Sequence, residues 1–185
     1  SGVGKGTLVK FLLETFPDKF TLSCSYTTRA ARPGETHGKE YYFVTRDEFL
    51  KKIEEDAFIE HCEVHGNLYG TARAMVDKVR EEKKVCILEI DVVGAEKVSK
   101  SHYDCNYIFV MPPSVEELQK RLEGRKTEAP EVVERRMKGA LRELKFAEES
   151  ELFKKKIVNH DLEDTKIQLV QYLNKLYSGI NLTYQ

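Results

Sequence analysis

Apolar residues recur along this chain in two alternating rhythms. Leu8, Phe11, Leu12 and Phe16 fall at helical spacing and predict an amphipathic helix over 8–16. Phe20 to Tyr26 is rich in strand-forming residues, and Tyr41 to Val44 reads as another short strand. Thr45 with Glu48 three positions on forms a capping-box pattern, and Phe49, Leu50 and Ile53 supply the apolar stripe of the helix it starts. Ala57 to Thr71 alternates around Gly66-Asn67 and predicts a hairpin. Thr71 stands where it would cap a helix running to Lys83. Val85 to Gly94 is an apolar run interrupted only by Glu89 and Asp91, the pattern of a parallel strand buried on both faces. A short helix over 95–100, a strand from Tyr107 to Met111, a helix after the Ser114 cap and another from Pro130 towards Glu149 follow. A last strand at Ile157-Val158-Asn159 and a closing helix over 164–177 complete the series.

Strands alternating with helices over 185 residues fit one α/β domain with appended lobes. The formal net charge of −1 gives no wide basic footprint for a nucleic acid polymer. No segment approaches the roughly 18 apolar residues of a membrane span, and no signal-peptide pattern is visible. Cys24, Cys62, Cys86 and Cys105 fall singly, without metal-ligand spacing, and Cys86 and Cys105, in or beside apolar runs, read as reduced core thiols. The expectation is therefore a cytoplasmic protein with no membrane partner. His61 and His65 are four apart, but a strand would separate them by about 13 Å, so they read as surface residues.

Candidate chemistry sits in three places. Gly2-Val3-Gly4-Lys5-Gly6-Thr7 at a helix start reads as the second half of a phosphate-binding loop, whose backbone N–H groups cradle a phosphate while Lys5 reaches its neighbours. The first glycine of such a loop and the strand feeding it would lie upstream of Ser1. Arg29 and Arg32 sit three apart beside a turn at Pro33-Gly34, with Tyr41 and Tyr42 soon after. Arginine forks and a tyrosine hydroxyl suit a phosphorylated small molecule, although an Arg-x-x-Arg beside a turn also fits a solvated loop. Glu89 and Asp91 would emerge at a strand C-terminus, where ligands of open α/β sheets bind; a salt bridge there is the alternative.

The arginine segment, Ser25, Thr27-Thr28-Arg29, Arg32, Pro33-Gly34-Glu35, Gly38 and Tyr41-x-Phe43, resembles the GMP-binding segment of guanylate kinases, with Ala31 where the family usually has proline. Phe58-Ile59-Glu60 and Asn67-Leu68-Tyr69-Gly70-Thr71 resemble that family's second substrate segment, and Pro112-Pro113-Ser114 with Arg121 and Arg125 its lid entrance. The resemblance covers nearly the whole chain. It implies a P-loop kinase core with a parallel sheet flanked by helices, a small mixed β/α GMP-binding lobe and a helical lid. The expected division is a core of 1–24, 84–115 and 150–185, a lobe of 25–83 and a lid of 116–149.

What the resemblance further implies is transfer of the γ-phosphoryl group of ATP to GMP, and to dGMP, by a monomer. It places Lys5, Arg121, Arg125 and Arg136 on the transferring phosphates, Gly2 to Thr7 and Asn159 on ATP, and Ser25, Arg29, Arg32, Tyr41, Glu60, Tyr69, Thr71, Glu89 and Asp91 on GMP. Guanine offers donors at N1 and N2 and an acceptor at O6. Glu60 would take the two donors, Ser25 and Thr71 would donate to O6, and Tyr69 would join Arg29, Arg32 and Tyr41 on the phosphate. Mg²⁺ would be held mainly by nucleotide phosphates and water, because Gly6 replaces the usual hydroxyl residue after the lysine. Thr7 and Asp91 are the weaker metal candidates. The acceptor is a phosphate oxygen that is largely ionised near neutral pH, so no general base is nominated. Val93 and His160 depart from the family pattern. The competing expectations are a non-catalytic guanylate-kinase-like module that binds protein partners, and a kinase that takes AMP or a pyrimidine monophosphate instead.

Overall fold

A computed structural model describes residues 2–64, 66–124 and 130–184; His65 and Arg125 lie outside them. Helices and strands alternate along an α/β chain that divides into two compact units, 1–16 with 106–185, and 17–105.

In the first unit, α1 (Lys5–Thr15) follows the glycine loop and buries Leu8, Phe11 and Leu12. Strands β7 (Ile108–Met111) and β8 (Lys155–Val158) pair in parallel, Ile108 opposite Lys155. Helix α5 (Val115–Glu123) is capped by Ser114, whose hydroxyl accepts from the Glu117 N–H, and α6 (Pro130–Glu149) begins at its proline. Asp161 caps the closing helix α7 (Leu162–Leu176). Val3, Leu118, Leu122 and Ala140 form the buried centre of one cluster, with Val110, Val133, Met137 and Leu144 packed around it.

In the second unit, β1 (Phe20–Leu22) and β6 (Val85–Ile87) make a parallel pair. A four-stranded mixed sheet runs in the order β3 (Tyr41–Phe43), β2 (Ser25–Thr27), β5 (Asn67–Ala72), β4 (Phe58–Val64). The β4–β5 hairpin turns at Gly66, whose φ of +80° is left-handed. Helix α2 (Arg46–Glu54) carries the complete capping box of Thr45 and Glu48, and places Phe49, fully buried, against Phe58 with ring centroids 4.6 Å apart. A Cβ on Gly70 would meet both rings at 2.9 Å, so only glycine lets this strand approach them. Helices α3 (Arg73–Glu81) and α4 (Val92–Ser99) complete the unit.

Four expectations change. The stretch from Phe20 to Tyr26 is two strands in two sheets, with Ser23 and Cys24 between them. The apolar run from Val85 pairs only as far as Ile87 and is half-buried. Asp91 then accepts from the Gly94 N–H at 2.7 Å and starts α4, so the cap takes Val92 to Gly94 from the predicted strand. Helix α3 is capped not by Thr71 but by Ala72, whose side chain has no acceptor to offer, and the Thr71 hydroxyl donates to Glu60. All four cysteines are free thiols. Burial pushes the thiol of Cys24 up to about 11, that of Cys62 to about 12 and that of Cys86 to about 11, so each stays protonated near neutral pH.

Candidate active site

Period-two alternation, broken in β4 by a register irregularity between Phe58 and Glu60, divides the residues of the four-stranded sheet between its faces. Tyr26, Phe58, Leu68 and Ala72 belong to the apolar cluster with Phe49. The alternate residues are Ser25, Thr27, Tyr41, Phe43, Glu60, Tyr69 and Thr71, which cross-strand pairing brings together: Ser25 opposite Tyr41, Thr27 opposite Tyr69, Glu60 opposite Thr71. The sheet thus gathers five of the nine residues expected on GMP.

Arg29 continues from β2 and is already ordered. Its guanidinium grips Glu35 with two bonds, Nη1 to Oε2 and Nη2 to Oε1, both 2.9 Å. It also lies 5.3 Å from the Tyr41 ring centroid and 5.7 Å from that of Phe43. Both side chains of this ion pair are less than one-fifth exposed, so it is not a solvent-screened surface bridge. The Arg29 bonds hold the Glu35 carboxyl below the usual carboxylate range. Glu35 also accepts from the backbone N–H of Arg32 at 2.7 Å and so ties the turn to the guanidinium. The Arg32 side chain is exposed. Glu35 is the residue that sequence reasoning missed as a site component; its signal was the acid six positions after an arginine across a Pro-Gly turn.

Glu60 is only 4% exposed and accepts a 2.7 Å bond from the Thr71 hydroxyl. Burial pushes its carboxyl pKa up, and the charge of Asp91 adds to the rise, while the Thr71 bond and the charge of Lys97 oppose it. Lys97 is anchored on the backbone carbonyl of His61. A Cβ at Gly94 would lie 3.0 Å from Glu60 Oε2, so the carboxylate comes tight against the first turn of α4. In this structure the Thr71 hydroxyl donates to Glu60, the carboxylate expected to sit beside it in the base pocket. Glu89 is exposed and near enough to raise the Tyr41 hydroxyl, although burial is the larger cause. Tyr41 and Tyr69 meet edge to face, with centroids 6.0 Å apart.

In the other unit the candidate donor site is built mostly of backbone. Gly4 caps α1 with φ +94°, and Gly2 has φ +80°. Lys5 is the first helical residue, Gly6 and Thr7 follow in the first turn, and Thr7 is exposed. Arg121 donates from Nε to Glu117 and from Nη2 to the Asn159 carbonyl, each at 3.2 Å. Arg136 is half-buried on α6. The Asn159 side chain is directed at the glycine loop, giving its amide proton to the Val3 carbonyl at 2.9 Å. Val93 and His160, where the family pattern is broken, are both exposed.

Among the described residues no group of three His, Cys, Asp or Glu is placed to hold a metal ion. Asp91 already spends one carboxylate oxygen on the Gly94 N–H. Among the described residues no helix is long and apolar enough to cross a membrane.

Known proteins match this arrangement along almost its whole length. The guanylate kinase family model matches residues 1–176. A guanylate kinase of Clostridium perfringens is 44% identical over 95% of this chain and 80% of its own length. That of Sus scrofa is 41% identical over 95% of this chain and 88% of its own. Guanylate kinase 1 of Oryza sativa subsp. japonica is 47% identical over 88% of this chain, which spans only 43% of that longer protein. The crystal structure of guanylate kinase from Anaplasma phagocytophilum superposes with a TM-score of 0.73 at 37% identity, over 93% of this chain and 81% of that one. The chain that carries the Glu60–Thr71 pair and the left-handed glycine loop belongs to the guanylate kinase family.

Proposed function

We infer that this chain is an ATP:GMP phosphotransferase, moving the γ-phosphoryl group of ATP to GMP and releasing ADP and GDP. The observation that carries the reading is the family match over residues 1–176, which takes in both the glycine loop and the arginine segment.

On the acceptor side, Glu60 receives the N1 and N2 protons of guanine, and Thr71 holds the carboxylate for them. Ser25 donates to O6. Arg29, Arg32, Tyr41 and Tyr69 bind the monophosphate, with Arg29 already oriented by Glu35. Support for this assignment comes from the buried carboxylate beside a hydroxyl, a pair that suits a ligand edge carrying two donors and rejects adenine, whose edge reverses that polarity. Glu89 and Asp91 complete the acidic side of the base pocket. On the donor side, the N–H groups of Gly2 to Thr7 cradle the phosphates of ATP, with Lys5, Arg121, Arg125 and Arg136 neutralising charge as the phosphoryl group moves. Magnesium, carried in on ATP, would lower the charge of the β- and γ-phosphates, with Thr7 and Asp91 as the candidate protein ligands. No side chain need remove a proton, because the attacking phosphate oxygen is mostly ionised near neutral pH.

The protein acts as a cytosolic monomer, with dGMP as a second acceptor. A coupled ADP-release assay across GMP, dGMP, AMP, UMP and dTMP tests the reading. Turnover with GMP and dGMP at rates well above the other three is expected. Equal use of AMP would overturn the guanine assignment, and no ADP release with any acceptor would favour a non-catalytic binding module.

A further inference from the structure

We propose that Asn159 is a positioning residue of the donor phosphate loop, acting through Val3 and Gly4 rather than by touching the adenine ring. The proposal rests on the guanylate kinase reading and assigns one residue of its donor side. Asn159 follows β8 and is 6% exposed. Its backbone N–H donates to the Met111 carbonyl at 2.8 Å, fixing it to the end of β7. Its side chain reaches back across the sequence: Nδ2 donates to the Val3 carbonyl at 2.9 Å, and Oδ1 accepts from the Thr165 hydroxyl at 3.1 Å.

The physical reason lies in how a backbone cradle works. A loop that aims its N–H groups at an anion must send carbonyls the other way, and a carbonyl directed into the protein needs a donor of its own. Asn159 supplies that donor to Val3, whose side chain is fixed independently among Leu118, Leu122 and Ala140. Gly4 records the closeness of the fit. Its φ of +94° favours glycine, and a Cβ there would lie 2.4 Å from Asn159 Nδ2. The Thr165 hydroxyl, whose one proton also faces the Asp161 carbonyl at 2.6 Å, lies against the amide oxygen, which leaves Nδ2 on the side of Val3. The same residue also offers its backbone carbonyl to Arg121 at 3.2 Å, so the loop and one phosphate-directed arginine share an anchor.

An amide that orients the loop affects every triphosphate alike, whereas an amide on the adenine edge affects only ATP. Asn159→Asp puts a second acceptor against the Val3 carbonyl with little change of volume. Dissociation constants for ATP, CTP and inorganic tripolyphosphate, each with Mg²⁺, are measured by calorimetry on the wild type and the variant, alongside the Kd for GMP. All three donors should weaken by the same factor, on the order of tenfold or more, with the GMP value unchanged. A loss confined to ATP would overturn the proposal, as would an equal loss for GMP, which is the mark of a merely destabilised fold. Asn159→Ser gives the same comparison if the aspartate variant melts below the assay temperature. Because these are binding measurements, they read Asn159 even if phosphoryl transfer to GMP fails; that failure would appear instead as absent ADP release from the wild type.

Discussion

The two candidate nucleotide sites of this protein are made of different material. The acceptor residues form a side-chain network, in which a buried carboxylate is held by a hydroxyl and a guanidinium is clamped by Glu35 and stacked on two aromatic rings. The donor loop is a backbone device, made of left-handed glycines, a helix N-terminus and a valine sunk into a hydrophobic cluster. A triphosphate is recognised by charge and by the directions of N–H groups, which backbone supplies without regard to the base. A purine edge has a donor and acceptor pattern that only side chains can match. The first site should therefore be sensitive to polarity and pH, and the second to steric change.

Variants sharpen that contrast in order of expected effect. Lys5→Ala removes the cation at the start of α1 and should lower kcat by about a thousandfold with little change in melting temperature, measured by ADP release and thermal unfolding. Near-normal turnover would remove Lys5 from the reaction. Gly4→Ala should raise KM for ATP by on the order of a hundredfold and leave GMP binding intact, because its Cβ meets Asn159 at 2.4 Å. It should also cost about 1–3 kcal/mol of stability, from strain at φ +94°. Glu35→Gln, which keeps the shape but loses the charge, should raise KM for GMP about tenfold without altering KM for ATP. An unchanged GMP value would mean that Arg29 needs no clamp.

The smallest effect is a gain in stability. Folding pushes the Glu60 pKa above its unfolded value, so the ionised carboxylate opposes folding. Stability is lost as pH rises from the ordinary carboxylate range of about 4.3 through the raised folded value. Glu60→Gln should therefore raise the melting temperature of the ligand-free protein at pH 8, by about 2–4 °C for each kcal/mol recovered, with the gain shrinking towards pH 4. A gain that grew towards acid pH would reverse the assigned sign.

Much of this architecture was readable in the chain. The capping box at Thr45, Pro130 at a helix start and the Gly66 turn are local signals, and the structure honours each of them. Readings failed where a local device competes with a longer pattern. The apolar run from Val85 has the periodicity of a buried strand, but the Asp91 cap takes its second half into a helix. Thr71 has the chemistry of a helix cap, but the opposite strand brings Glu60 within 2.7 Å, a contact that hairpin register alone decides. The bracing of Val3 by Asn159 links positions 156 residues apart, a separation at which neither motif nor spacing carries a signal.

The most direct test of base selection compares GMP with inosine monophosphate, which lacks only the 2-amino group. The ratio of their kcat/KM values is measured for the wild type and for Glu60→Gln. If the buried carboxylate receives both the N1 and N2 protons, the wild type favours GMP by about a hundredfold or more and the variant brings the ratio close to one. An unchanged ratio in the variant would show that another group reads the guanine edge.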